Sequence, residues 1–130
     1  MLFRSIRMVL DLHRDASDST AGQLVTSATV GGQRSAQLLV MTGTDAGGSL
    51  HPNWEENLSV GLKLAALLEG ENPGICRPVT IRSERFNTDM TPASLIIEVG
   101  AAGNTASEAR LAIHALAQGV LKLAKGVNNS

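Results

Sequence analysis

Apolar positions along this chain fall into two rhythms: short unbroken runs, and longer stretches with a three-to-four-residue beat. Ile6 to Leu12 is a run rich in Val, Ile, Leu and Met and reads as a strand, ending where charge concentrates in Asp11-Leu12-His13-Arg14-Asp15. Leu24 to Val30 reads as a second strand after a polar loop. Gly31-Gly32 is a tight-turn signal, and Ala36 to Thr42 is expected to be the returning strand of that hairpin. Val79 to Arg82 is a short strand candidate. Leu95 to Val99, interrupted only by Glu98, has the continuous apolar character of a strand covered on both faces.

The helical beat occurs twice. Asn53 to Glu69 carries a stripe at Trp54, Leu58, Leu62, Ala65 and Leu68, with Asn53 and Glu56 spaced as a capping box and Glu55 and Glu56 suited to the positive end of a helix. The last segment opens with a second capping box, Thr105 to Glu108. Its apolar face is Ala109, Ala112, Ile113, Leu116, Ala117, Val120, Leu121 and Ala124, and Gly126 is the expected stop. Val127 to Ser130 is expected to fray. Strands alternating with helices predict an α/β fold, a mixed sheet flanked by helices.

Composition narrows the function classes. At 130 residues the chain fits one domain. Aromatic residues are 2% of it, so the core must be aliphatic. A net charge of −1 and no basic stripe give nucleic-acid binding no support. The single cysteine, Cys76, excludes an internal disulfide and a thiolate zinc cluster. The apolar part of the first ten residues is too short for a signal peptide, and no run approaches the roughly 20 residues of a membrane span.

Candidate chemistry centres on two residues. Glu98 lies in an apolar strand just before a glycine loop, at the strand end where α/β sheets gather ligands. Pattern alone leaves it open whether Glu98 belongs to a site or is bonded to Arg77 or Arg82. His13 ends another strand among Asp11, Arg14 and Asp15; either it is a metal ligand oriented by a carboxylate, or it is a structural or surface histidine. His51 reads as a loop residue at a helix entry rather than a substrate contact, and His114 as solvent-exposed. Gly100 to Thr105 joins strand to helix but lacks the spacing of a phosphate-binding loop, which favours a plain turn. Cys76 reads as a small apolar residue rather than a nucleophile.

Beyond pattern, six short segments in order resemble the stage II sporulation protein P family. They are Asp11-Leu12-His13-Arg14-Asp15-Ala16; Gly43-Thr44-Asp45 with His51-Pro52-Asn53-Trp54-Glu55-Glu56-Asn57-Leu58; Pro73-Gly74-Ile75-Cys76-Arg77-Pro78; Arg85-Phe86-Asn87-Thr88-Asp89-Met90; Leu95-Ile96-Ile97-Glu98-Val99-Gly100; and Gly103-Asn104-Thr105. The resemblance implies a zinc-dependent N-acetylmuramoyl-L-alanine amidase. Such an enzyme cleaves peptidoglycan at the amide between the lactyl group and the stem-peptide L-alanine, with associated endopeptidase-type cleavage. It implies an extracytoplasmic, membrane-anchored parent working beside a second sporulation wall hydrolase.

Carried over by motif, His13 matches a zinc ligand and Glu98 the catalytic glutamate. Asp11, Arg14, Asp15, His51 and Asn87 are candidates for second-shell or substrate contacts, and orientation of His13 by Asp11 or Asp15 is our own reading. The family's remaining zinc ligands, two histidines and a glutamate, are expected upstream of residue 11. The whole chain, 1–130, is therefore expected to be the C-terminal part of one amidase domain, truncated at its N-terminus and poor in zinc and activity by itself. Leu2-Phe3-Arg4-Ser5 back-translates to CTC-TTC-CGA-TCT, the end of a common sequencing adapter, so Met1 to Ser5 are expected to be non-native. Two alternatives remain: a noncatalytic wall- or partner-binding remnant, and a self-contained metal site using His13, His51 and Glu98.

Overall fold

The computed structural model describes residues 5–20 and 22–128, the side chains of 127 and 128 excepted. Met1 to Arg4, most of the stretch expected to be non-native, and the tail residues Asn129 and Ser130 lie outside the described residues. In chain order the elements are β1 (Val9–Asp15), β2 (Asp18–Ser19), β3 (Gly22–Gln23), β4 (Ala28–Val30), β5 (Gln33–Ser35), β6 (Leu38–Thr42), α1 (Trp54–Glu71), β7 (Thr80–Ile81), β8 (Ser94–Ala101) and α2 (Ala106–Asn128).

The main sheet has the order β1-β8-β6-β7. It is mixed: β1 runs parallel to β8, β8 antiparallel to β6, and β6 parallel to β7. This is the expected α/β class, a mixed sheet with two helices. Both helices lie on one face, where Leu38, Val40, Leu95, Ile97 and Val99 pack with Leu64, Leu68, Ala112 and Leu116 into one aliphatic core. Alternation along the strands turns Leu39, Met41 and Ile96 to the opposite face as a separate small cluster. That second face carries the polar residues discussed below.

Three local expectations are corrected. The Gly31-Gly32 turn is real, with φ of 57° and 78°, the left-handed pair a two-residue hairpin turn needs. Its strands, however, are only β4 and β5, and the returning strand is not Ala36 to Thr42. The chain bends at Ala36, whose N–H donates to Glu108, and β6 starts afresh in the main sheet. The second correction concerns Asn53, whose side chain makes no cap bond. Its φ of −104° and ψ of 18° lie away from the extended backbone an N-cap uses. Third, Gly126 does not end α2, which continues to Asn128.

The helical stripes are also rotated from those expected. In α1 the buried residues are Asn57, Gly61, Leu64, Ala65 and Leu68, whereas Leu62 is exposed. A Cβ on Gly61 would lie 3.2 Å from Val40 and 3.3 Å from Leu95, so this glycine lets the helix sit close on the sheet. In α2, Ala112, Ala115, Leu116 and Gly119 face inward, while Ile113 and Leu121 are exposed. A Cβ on Gly119 would stand 2.6 Å from the Leu68 side chain, so this glycine lets α2 pack closely on α1. The α2 capping box forms as expected: Thr105 N–H donates to Glu108 at 2.8 Å, and Glu108 N–H donates back to the Thr105 hydroxyl at 3.1 Å. Among the described residues, no helix is long and apolar enough to cross a membrane.

Candidate active site at the β1–β8 strand ends

Because β1 and β8 run parallel, their C-terminal ends reach the same edge of the sheet, where open α/β sheets present ligand sites. The register pairs His13 directly with Glu98. Paired residues on neighbouring strands share a face and stand roughly 4.8 Å apart across the ladder. Asp11, two residues before His13, is on that face as well. Its carboxylate contacts His13 Nε2 at 2.9 Å, an orienting contact that leaves Nδ1 as the ring nitrogen available to a ligand.

Glu98 is half-buried, and its Oε2 has no hydrogen-bond partner. Burial is the main cause that pushes its pKa up from the ordinary 4.5. The Asp15 and Asp11 charges add to that rise, while His13 and Arg77 oppose it. The alternative of a structural pair with Arg77 or Arg82 is not realised among the described residues. Arg77 instead donates to Asp15 at 2.7 Å.

Asp15 is engaged elsewhere. The ladder shifts register between His13 and Asp15, and Asp15 accepts from Ser17 N–H at 2.9 Å as well as from Arg77. These bonds, led by Ser17, lower its pKa from 3.8 to about 2. The carboxylate in contact with the His13 ring is that of Asp11, so of the two expected orienting carboxylates Asp11 has that position. Arg14 turns the other way. Its guanidinium donates to the carbonyls of Ala101, Ala102 and Asn104 at 2.8–3.0 Å, clamping the turn into α2. With Asn104 Oδ1 also accepting from Ala101 and Thr26 N–H, that glycine turn is tied inward and has the plain structural role expected of it.

The cleft beside His13 and Glu98 measures about 350 Å³ and is lined by Asp11, His13, Met41, Arg82, Phe86, Asn87, Ile96 and Glu98. Asn87 therefore faces the same space as His13 and Glu98, but His51 does not. His51 is fully buried, and its Nε2 lies 2.8 Å from the Thr88 hydroxyl. It does lie in the loop at the entry of α1, as expected, but as a buried residue of that loop. Burial lowers its pKa from 6.5 and keeps the ring neutral.

Thr88 is the hub of a buried network. Its hydroxyl donates to Arg85 O at 2.7 Å and accepts from Gly43 N–H at 3.3 Å, and Asn57 of α1 donates to its carbonyl. A Cβ at Gly43 would run into the carbonyls of Glu84 and Arg85. Gly43, His51 and Asn57 thus hold the 83–90 segment against the end of β6. They fix it in a form where Phe86 has φ 53°, a strained value for an aromatic residue. The motif residues at 43, 51, 57 and 88 do not line the cleft; they support the 83–90 segment that brings Phe86 and Asn87 to it. Sequence reasoning considered Arg82 only as an ion-pair partner of Glu98 and missed Phe86 and Met41 as cleft residues; the polar run around Arg85-Phe86-Asn87 could have signalled Phe86, and nothing local marks Met41.

A family model, "Stage II sporulation protein P (SpoIIP)", matches residues 3–121. The chain belongs to the stage II sporulation protein P family. A curated relative from Bacillus subtilis (strain 168), stage II sporulation protein P, is 26% identical over 119 residues, covering 88% of this chain and 27% of the relative. The chain thus spans about a quarter of the length of that relative. No solved structure matches the chain.

For the zinc that this family resemblance implies, the donor set fits in part. One imidazole and two carboxylates face the cleft, but no group of three His, Cys, Asp or Glu able to hold a metal occurs among the described residues. A self-contained site of His13, His51 and Glu98 is ruled out by the engagement of His51 with Thr88, neither of which lines the cleft. His114 is exposed on α2, and burial raises the Cys76 thiol to about 12, which makes it inert as a nucleophile.

Proposed function

We propose that this chain carries the His13–Glu98 part of a peptidoglycan hydrolase acting in sporulation, which cleaves the N-acetylmuramoyl-L-alanine amide. The observation that carries the reading is the in-register pairing of His13 with Glu98 at the ligand-gathering edge of the sheet. Family membership supplies the sporulation context. The wall and an accompanying sporulation wall hydrolase are the partners in this reading, and an extracytoplasmic, membrane-anchored parent is the setting.

In this mechanism His13 is a metal ligand held in orientation by Asp11, and the remaining ligands come from outside the described residues. Zinc, when bound, would supply a water of lowered pKa. Glu98 takes the proton of the attacking water on its carboxylate and returns it to the leaving L-alanine nitrogen. A carboxylate raised by burial is a better base near neutral pH than a solvated one. Asn87, across the cleft, can hold the substrate amide by its own side-chain amide. The strained, network-held 83–90 segment keeps that wall in place, so binding need not order it.

The test is digestion of purified peptidoglycan by the protein that contains this chain, with zinc present. Release of stem peptides with a free L-alanine amine, leaving lactyl carboxylates on the glycan, supports the amidase reading. New amine ends at other peptide bonds would point to endopeptidase cleavage. The absence of a three-donor group among the described residues favours one second reading, a noncatalytic wall-binding role. Co-sedimentation with wall and no product would select it.

A further inference from the structure

The cleft has a cation that its own chemistry does not use. Besides Arg14, which is spent on the turn into α2, three guanidinium groups stand near this end of the sheet. Arg77 is paired with Asp15, and Arg85 with Asp89 and the Leu50 carbonyl. Arg82 lines the cleft and is exposed; among the described residues its side chain makes no hydrogen bond or close ion-pair contact, and it acts only through its charge on the exposed Glu84 carboxylate. It is also well anchored. Its N–H donates to Thr42 O at 2.9 Å, and its carbonyl accepts from the Thr44 hydroxyl at 3.0 Å, so the side chain projects from a backbone fixed on both sides. The carboxylates of Asp11 and Glu98 line the same cleft, yet neither pairs with it.

A guanidinium that makes no hydrogen bond, with an exposed aromatic neighbour, Phe86, and an amide neighbour, Asn87, has the chemistry of a receptor for a carboxylate on a small peptide. At about 350 Å³ the cleft is at the low end of ligand-pocket sizes, which suits a short segment rather than a folded partner. We infer that Arg82 is a specificity residue that binds a free carboxylate of the stem peptide, so that the site prefers acidic over amidated stem peptides. This inference rests on the wall-amide reading above and adds to it the class of stem peptide taken. Phe86 offers its ring to the peptide's apolar portion, and Asn87 pairs with a backbone amide.

The experiment is a binding titration of the full chain, followed by amide NMR shifts of residues 82–90. The probes are N-acetylmuramoyl-L-alanyl-D-glutamate with both glutamate carboxylates free, and the same compound with both amidated. The free acid should bind about tenfold more tightly, since an ionised acceptor roughly doubles the strength of a guanidinium hydrogen bond. Arg82→Gln should erase that preference, and Arg82→Lys should keep part of it. Unchanged shifts elsewhere in each variant would verify its fold. Equal affinity for the two probes, with shifts at Asn87, would overturn the carboxylate role and leave the amidase reading standing. No shift at the cleft with either probe would overturn both.

Discussion

Replacing Glu98 by glutamine should make this protein more stable at neutral pH. The carboxylate is half-buried, its Oε2 has no partner, and two further carboxylates, Asp15 and Asp11, raise its pKa. A buried polar atom left unsatisfied costs about 1–3 kcal/mol. A neutral amide of the same shape relieves the charge while still burying polar atoms, so we expect a gain at the low end, about 1 kcal/mol. That corresponds to a rise of about 4 °C in melting temperature.

The sign with pH follows from the raised folded-state value. In the folded protein Glu98 keeps its proton above 4.5, so its stabilising protonated state is fully present below 4.5 and is lost as pH rises through the folded pKa. The advantage of Glu98→Gln should therefore be full above that pKa and vanish below 4.5. Urea denaturation of both proteins at pH 7.5 and pH 4 measures it. A glutamine variant less stable at pH 7.5, with the deficit shrinking on acidification, would mean that Glu98 is a structural ion-pair partner. A carboxylate that weakens the fold is what a site retained for activity looks like.

Other expectations follow from the same geometry. Gly43→Ala should cost about 2–3 kcal/mol in chemical denaturation, because its Cβ meets backbone carbonyls of Glu84 and Arg85 that cannot rotate away. Asp15→Asn should cost about 2 kcal/mol at pH 7, since its pKa is lowered from 3.8 to about 2, and the wild-type advantage should be lost as pH falls from 3.8 to 2. Burial lowers the pKa of His51, so its stabilising contribution is full above 6.5 and falls below it by up to about 1.4 kcal/mol per pH unit. A His51→Gln variant should show a flatter stability profile between pH 7 and pH 5.

Much of the fold is legible in the sequence where apolarity alone decides. The strand around Leu95–Val99, the hairpin glycines and the Thr105–Glu108 box follow from local chemistry that tertiary context does not override. The helix faces were harder to read because their contacts depend on non-apolar residues. Asn57 is buried to bond the Thr88 and Ser94 carbonyls, and Gly61 and Gly119 are buried because backbones approach there. Neither reason produces a hydrophobic signal. At the site, His13 and Glu98 each stood out as polar ends of apolar runs, but their adjacency depends on parallel pairing across 85 residues, the difference between 98 and 13. The role of His51 depended on Thr88, which nothing in the local pattern marks.

The central claim is that the Glu98 carboxylate is the proton carrier of an amide-cleaving site beside His13. Turnover of peptidoglycan by the zinc-loaded protein containing this chain, compared with its Glu98→Gln and His13→Ala variants, tests it most directly. The account predicts that Glu98→Gln keeps its zinc and loses at least about 10²-fold in kcat, the scale of a general-base contribution, while His13→Ala loses zinc. A Glu98→Gln protein that turns over wall amides at the wild-type rate would contradict it.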